Sequence, residues 1–566
     1  VTADHPPETR AADAPSAGPD PLPGGAGAAG PGAARSGAVR TAIGLVAVVA
    51  TAAALLGIGV RARFGGHVAV DEPQYLLTAL SIFEDLDLDI TDELAERRWA
   101  PWAGTEALPV QTEVLADGTQ ISPHDPLLPI LLAVPMGLGG WIAAKAAMAL
   151  MAGALAALTL WTAVRRFAVP VRLAAGGVLL ASASPPLAVY GQQVYPELPA
   201  ALAAVAALAV LTGPAFAGGA RAGGAERPPR IRRDVAVFGL LITALPWLSV
   251  KYAPVAAVLA LLGLWRLRAD RGTLLSLAGG FAAMGAAYLA VHRLVWGGWT
   301  VYASGDHFQA SGEFGVMGFD PDYAGRAVRL VGLMADRGYG LAAWQPAWLL
   351  LLPAVGYGLL PALRRRRSGG PAVPGDAPAG TSRGTSHGAS RAVARDAFHS
   401  AALLLPLAAG WLTATFVALT MNGHWWPGRQ TVVVLPLALL LVLALLRDRP
   451  GLRPAGLVLG LAGLVNHAWL LADGYAVRIT WVSGFEQVGS PLYRAVRPVL
   501  PDYRLGWDGF WPLHLGWVLV SLLLIAYGTP YLTKGRTHEV DPDPGDRDGA
   551  GPGRSADVRP DGLRRR

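Results

Sequence analysis

The residue types able to do chemistry are confined to a few short polar stretches between apolar runs. The first reads Val70-Asp71-Glu72-Pro73-Gln74-Tyr75, two adjacent carboxylates followed by a proline. A carboxylate at an apolar boundary gains basicity through desolvation, so Asp71 and Glu72 are candidates for taking a proton. A purely structural role fits as well: Asp caps free helix N–H groups, and Pro is tolerated in the first turn. Leu76, Leu77, Leu80 and Phe83 then recur at helical spacing, the stripe of a helix lying at a membrane interface. Cations that could hold an anion are scarce in the same kind of segment. Lys251 lies in Trp247-Leu248-Ser249-Val250-Lys251-Tyr252, and Arg429 ends Asn422-Gly423-His424-Trp425-Trp426-Pro427-Gly428-Arg429. Lysine can simply snorkel to the interface, whereas arginine offers bidentate contacts to phosphate. Trp425 and its neighbour suit either a sugar or the headgroup belt. His124, in His124-Asp125-Pro126-Leu127, is a third cation candidate or a structural hydrogen-bonder. Glu197 of Tyr195-Pro196-Glu197 opens an apolar run, where capping competes with binding. Asp336 of Asp336-Arg337-Gly338-Tyr339-Gly340 either binds substrate or belongs to a turn closed by an ion pair. Trp299, Tyr302, Asp306 and His307 line an acceptor groove or pack a loop.

The elements that must position these residues are membrane spans. Of the 566 residues, 53 % are hydrophobic and 15 % charged, against the about 25 % charged residues of soluble chains. Mean hydropathy is +0.39. Apolar runs at 41–60, 141–164, 171–190, 196–217, 234–249, 252–266, 273–293, 342–363, 398–420, 430–446, 454–472 and 512–532 give about 12 helices, each near the length a bilayer demands. The expected fold class is therefore all-α and polytopic, with juxtamembrane helices on the outer face. Pro126 to Gly139 is apolar but too short to span, and reads as an interfacial helix. The net charge of +7 does not indicate a nucleic-acid binder, because the arginines cluster beside apolar runs. With the N-terminus in the cytoplasm, every inward connection is basic: Arg165-Arg166, Arg221 to Arg233, Arg266 to Arg271, Arg364 to Arg367, Arg447 to Arg453, and Lys534 with Arg536. Both termini are then cytoplasmic and the chemistry faces outward. Residues 1–38, 364–396 and 536–566 are poor in large apolar groups and read as disordered tails and a disordered inner loop, flanking a transmembrane domain over 39–535. The first run, behind a polar tail, is longer than the roughly 7–15 residues of a signal-peptide core and reads as an anchor. The absence of cysteine excludes disulfides, thiolate zinc sites and Cys nucleophiles.

Asp71-Glu72-Pro73-x-Tyr75, in the outer loop (61–125) directly after the first span, resembles the Asp-Glu-Pro-Arg-Tyr signature of the GT-C superfamily. These are integral-membrane glycosyltransferases using lipid-phosphate sugars, among them the protein mannosyltransferases and the lipid A aminoarabinose transferases. His124-Asp125-Pro126-Leu127 is similar to the Lys-Pro-Pro-Leu that often precedes an interfacial helix in those proteins, and the next span ends in Arg165-Arg166-Phe167, as theirs do. The resemblance implies that the first-loop acid is the catalytic base. Gln74 and His124 depart from the Arg and Lys of the family, which implies that phosphate is held by other basic residues or that the donor differs.

The resulting expectation is an inverting transfer of a sugar from a polyprenyl phosphate to an outer-face glycan, lipid or protein. Asp71 serves as base, with Glu72 as second candidate or orienting partner. Lys251, Arg429 and His124 receive the donor phosphate, while Tyr75, Glu197, Trp425 and Asp336 contact substrate. The rivals are a flippase or transporter of lipid-linked sugar, which predicts paired charges inside spans and repeated halves, and a non-catalytic scaffold. No repeat is evident, and among span residues Lys145 is an exception to the scarcity of charge. No cofactor is expected, with a divalent metal left open as the alternative. Some GT-C enzymes use a divalent ion at paired carboxylates, but adjacent residues on a helix point about 100° apart, so no essential metal is expected at Asp71-Glu72. No phosphate-cradling Gly loop argues for a nucleotide donor.

Overall fold

A computed structural model describes residues 31–108, 111–115, 117–216, 229–301, 323–368, 383–418 and 425–529, with the backbone alone at 31–36, 113, 229, 360–368 and 383–393. The expected N-terminal tail up to 30, the C-terminal tail beyond 529, positions 369–382 of the expected inner loop, positions 217–228, and Tyr302, Asp306 and His307 lie outside the described residues.

The chain is helical almost throughout. The principal helices are α1 (Pro31–Leu55), α2 (Glu72–Glu84), α3 (Leu127–Arg166), α4 (Val171–Ser182), α5 (Glu197–Leu211), α6 (Pro229–Leu248), α7 (Ala253–Leu267), α8 (Arg271–Val295), α9 (Leu351–Ser368), α10 (Arg383–Phe416), α11 (Leu435–Asp448), α12 (Arg453–Tyr475) and α13 (Trp507–Gly528). Among the described residues, 8 helices are long and apolar enough to cross a membrane, as expected of a multi-pass protein. The expected count of about 12 is not reached on that criterion. α4 and α5 are helical but short, at 12 and 15 residues. α6 is apolar only from Val235 onward. The run at 342–363 is interrupted: short helices at Leu341–Trp344 and Pro346–Leu350 precede α9. Gln345 causes the break. Its side-chain oxygen accepts from the Ala347 N–H, its amide donates to Ser184 Oγ at 2.6 Å, and Pro346 follows it.

The short segment expected at the interface is a helix distinct from the span after it. α3 breaks at Gly139 and Gly140, and Gly140 has φ +62, a conformation that a side chain disfavours. α2 packs on the first part of α3, with the Phe83 ring against Gly137. It is buried from Glu72 through Ser81, more completely than a one-sided stripe predicts. The rest of the first loop closes with a two-stranded antiparallel ribbon, β1 (Glu113–Val114) and β2 (Gln120–Ile121), in which Glu113 faces Ile121.

α11 is the central helix, buried at every residue from Leu435 to Leu446. A helix apolar on all sides is stable only when surrounded, and this one is enclosed by α4, α5, α9 and α10. Its two ends carry different chemistry. Arg429 stands in the 3-10 turn at its head, and Arg447 in its last turn lines a cavity of about 360 Å³ with Arg166, Arg395 and His399.

Candidate active site

The site is assembled at the heads of four helices. Asp71 occupies the N-cap position of α2, yet its side chain makes no capping bond. The carboxylate turns instead to Arg429, whose Nη2 donates to Asp71 Oδ2 at 2.8 Å. The structural reading of Asp71 as a helix cap therefore fails on geometry. Val70, immediately before it, has φ +58. A β-branched residue in that region costs on the order of 1–3 kcal/mol, strain of the kind that clusters at functional sites.

Arg429 donates a second bond, from Nε to Glu197 Oε1 at 2.8 Å, and Lys251 Nζ reaches the same oxygen at 2.6 Å. Asp71, Arg429, Glu197 and Lys251 thus form one continuous chain of alternating charge. Glu197 is the first residue of α5, Lys251 lies in the turn before α7, and Arg429 lies in the turn before α11. Gly428 at φ +85 lets the chain reverse just ahead of Arg429. The guanidinium lies 4.0 Å from the Tyr195 ring centroid and 5.4 Å from that of Trp425, a cation–π seat that fixes its plane. Trp425 is therefore beside the cluster. Its neighbour Trp426 is fully buried among Trp344, Trp481 and Phe485.

His124 stacks on Tyr75 with ring centroids 4.4 Å apart, which brings both first-loop candidates to the same place. Burial lowers its pKa, and the Asp71 carboxylate pulls the other way without reversing the direction. For Asp71 the balance is the reverse. Burial alone would raise the carboxyl, but Arg429, with His124 and Lys251 behind it, holds it below its ordinary value. Hydrogen-bonding capacity remains open around the cluster: His124 Nε2, Gln111 Oε1 and Glu197 Oε2 are buried without a partner among the described residues. The Gln111 amide lies 3.5 Å from Asp71 Oδ1. Buried polar atoms are normally satisfied, so three open ones beside a carboxylate and an arginine mark a place for a polar ligand.

Two sequence assignments are not supported by geometry. Glu72 is fully buried and faces away from this chain of charges. Its Oε1 accepts from the Val194 N–H at 2.9 Å and pairs with Lys145 at 3.0 Å, and its Oε2 accepts from the Ala69 N–H. Both oxygens are occupied, which speaks against Glu72 as the base. Asp336 is not brought to the cluster. It organises a turn, accepting from the backbone N–H groups of Gly338, Tyr339 and Tyr503, and burial pushes its pKa up to about 6.

No family model matches the chain, and no curated protein matches it. Among solved structures it is similar to ArnT from Cupriavidus metallidurans bound to undecaprenyl phosphate, with a TM-score of 0.38 and 15 % identity over 87 % of this chain and 75 % of that one. It is also similar to the archaeal oligosaccharyltransferase AglB from Archaeoglobus fulgidus, in complex with an inhibitory peptide and a dolichol-phosphate. That TM-score is 0.40, at 13 % identity over 87 % of this chain and 56 % of that one. Both are glycosyltransferases of the GT-C fold.

Asp125, quoted from the sequence only as part of the His124 motif, proves to be a junction between elements. Asp125 is buried, and its Oδ2 accepts from the Val250 N–H at 3.0 Å. Its Oδ1 meets Tyr288 Oη at 2.9 Å and His292 Nε2 at 3.0 Å. The first loop is thereby tied to the turn that carries Lys251 and to α8. The available signal was Tyr288 and His292, four residues apart and hence on one face of an otherwise apolar run.

Proposed function

We propose that the chain is a GT-C-like membrane glycosyltransferase that moves a sugar from a polyprenyl phosphate to an acceptor hydroxyl or amine on the outer face of the membrane. The observation that carries this reading is the Asp71 carboxylate, withheld from its own helix cap and held by an arginine beside open hydrogen-bonding atoms.

The four charges of the cluster, two carboxylates and two cations, sum to zero. An incoming phosphodiester has to draw Arg429 toward itself, and Arg429 then loosens from Asp71. Without that contact, burial dominates at Asp71 and its basicity rises, so donor binding prepares the base. Asp71 takes the acceptor proton as the acceptor atom bonds to the anomeric carbon. The bond from that carbon to the phosphate oxygen breaks, and its electron pair leaves with the polyprenyl phosphate. The leaving phosphate gains one negative charge in this step, so Arg429 and Lys251 hold it more tightly in the transition state than in the ground state. Attack from the face opposite the phosphate inverts the anomeric carbon. His124 and the heads of α5, α7 and α11 supply further donors and partial positive charge. Tyr75, Trp425 and Glu197 border the substrate. The positive charge comes from side chains, and Glu72 is engaged with Lys145, so the scheme uses no metal at Asp71.

Replacing Asp71 by Asn in the reconstituted protein should lower transfer from a polyprenyl-phosphate sugar by about 10²–10⁴-fold while the protein stays folded and inserted. Full activity of Asp71→Asn would falsify the assignment. Movement of lipid-linked sugar across vesicles with no covalent product would favour the flippase.

A further inference from the structure

The first loop carries a dense run of acids well away in sequence from Asp71, and their partners can be followed one by one. Glu84 and Glu96 take Arg98, at 2.8 and 3.5 Å. Asp87 Oδ1 accepts from Ser81 Oγ at 2.8 Å. Asp89 Oδ1 accepts from the Thr91 hydroxyl and the Gln120 N–H. Among the described residues, three acids of the run take no hydrogen bond from outside their own group: Asp85, Asp92 and Glu93. They are the three whose carboxylate oxygens converge, one atom from each lying within 4.8 Å of the others.

We infer that Asp85, Asp92 and Glu93 together bind a hard divalent cation of the calcium type at the C-terminal end of α2. Glu93 is decisive. It is 1 % exposed, and neither of its oxygens has a hydrogen-bond partner among the described residues. A buried carboxylate without a donor is costly unless a proton or a cation neutralises it, and here it points at two further carboxylates. Calcium takes oxygen ligands at about 2.3–2.6 Å, so oxygens around one ion stand at most about 5 Å apart, and these three lie within 4.8 Å of one another. Asp85 is the C-cap of α2, where the negative end of the helix dipole also favours a cation. Two of the three acids are exposed, leaving room for water to complete the coordination. The ion would fasten the end of α2 to the Thr91–Ala95 turn and stiffen the element whose other end presents Asp71.

The test uses the full chain in detergent, stripped with EDTA and dialysed, then titrated separately with calcium and magnesium chloride. Calorimetry and the thermal midpoint should both report one saturable calcium site. Half-saturation is expected on the order of 10⁻⁴–10⁻³ M, as in extracellular calcium modules. Glu93→Gln should abolish it. Asp92→Asn should weaken it by about tenfold or more, which answers the question if the Glu93 variant does not fold. Asp87→Asn, whose carboxylate is already engaged, should leave it unchanged. Absence of saturable binding of either ion in the native chain overturns the proposal. So does binding that survives in Glu93→Gln and Asp92→Asn, or that Asp87→Asn weakens as much as Asp92→Asn does.

Discussion

At Asp71 two opposed influences on one carboxyl meet, and Arg429 decides between them. Removing the acid and removing what surrounds it therefore have different consequences. In Asp71→Asn, Arg429 keeps Glu197, so the loss is that of a hydrogen bond to a charged group, about 1.5–3 kcal/mol. Glu197→Gln leaves Lys251 without its carboxylate and Arg429 with Asp71 alone, two cations with one anion, and should cost about 3–5 kcal/mol. Thermal midpoints of the two variants in one detergent should rank them in that order. The pH dependence follows from the same contact. Because the native carboxyl of Asp71 is depressed, its share of stability is present above the unfolded value and is lost as pH falls through the native one. Arg429→Lys keeps the charge but cannot bridge Asp71 and Glu197 in the same fork. Asp71 should then titrate at higher pH, and the acid limb of the transfer rate should move up with it. An acid limb that stays in place while the rate falls would mean that Asp71 is not the titrating base.

α2 is the element that turns a loop acid into a site residue, and a buried ion pair fixes its placement. Glu72 joins it to Lys145 on α3 and to the backbone before α5. Breaking such a pair from one side costs more than removing it whole, because a lone buried charge is left behind. Glu72→Met and Lys145→Met should each destabilise the chain by about 3–5 kcal/mol, and the double variant should lose less than their sum; strict additivity in a thermal-shift cycle would exclude a pair. Much of this architecture was legible in the residues. The apolar runs located most of the helices and the short segment ending at Gly139, and the structure gathers Lys251, Arg429 and His124, singled out separately as candidate cations, around Asp71. What local pattern cannot carry is pairing at long range. Glu72 to Lys145 and Asp125 to His292 join residues far apart in the chain, and each partner has an adequate local explanation when read alone. The interruption at Gln345-Pro346 was visible as a polar residue and a proline inside an apolar run. Mean hydropathy over the window conceals it, since one buried amide changes the average little but redirects the backbone.

The molecule has two chemically distinct ends, joined by the same helices. The Asp71 cluster gathers at the heads of α2, α5, α7 and α11, whereas Arg166 ends α3 and Arg447 lies in the last turn of α11 beside the basic cavity. Fourteen residues of α11 at about 1.5 Å rise separate the two faces by about 21 Å, most of the hydrocarbon thickness of a bilayer once the preceding turn is added. The orientation proposed for the chain, with positive charge retained on the cytoplasmic side, puts the Arg447 end inward and the acid outward, where a lipid-linked sugar would have to be presented. The chain has no cysteine, so this orientation can be read without background from single introduced thiols. Glu106, exposed in the first loop, and Gly451, exposed with no atom within 4 Å of an added Cβ, report the two ends. In intact cells or right-side-out vesicles a membrane-impermeant maleimide should label Glu106→Cys directly, and Gly451→Cys only after permeabilisation. The reverse pattern would put Asp71 on the cytoplasmic face, where the outer-face acceptors proposed for this chain are out of reach, and the transferase reading would then need a different substrate side.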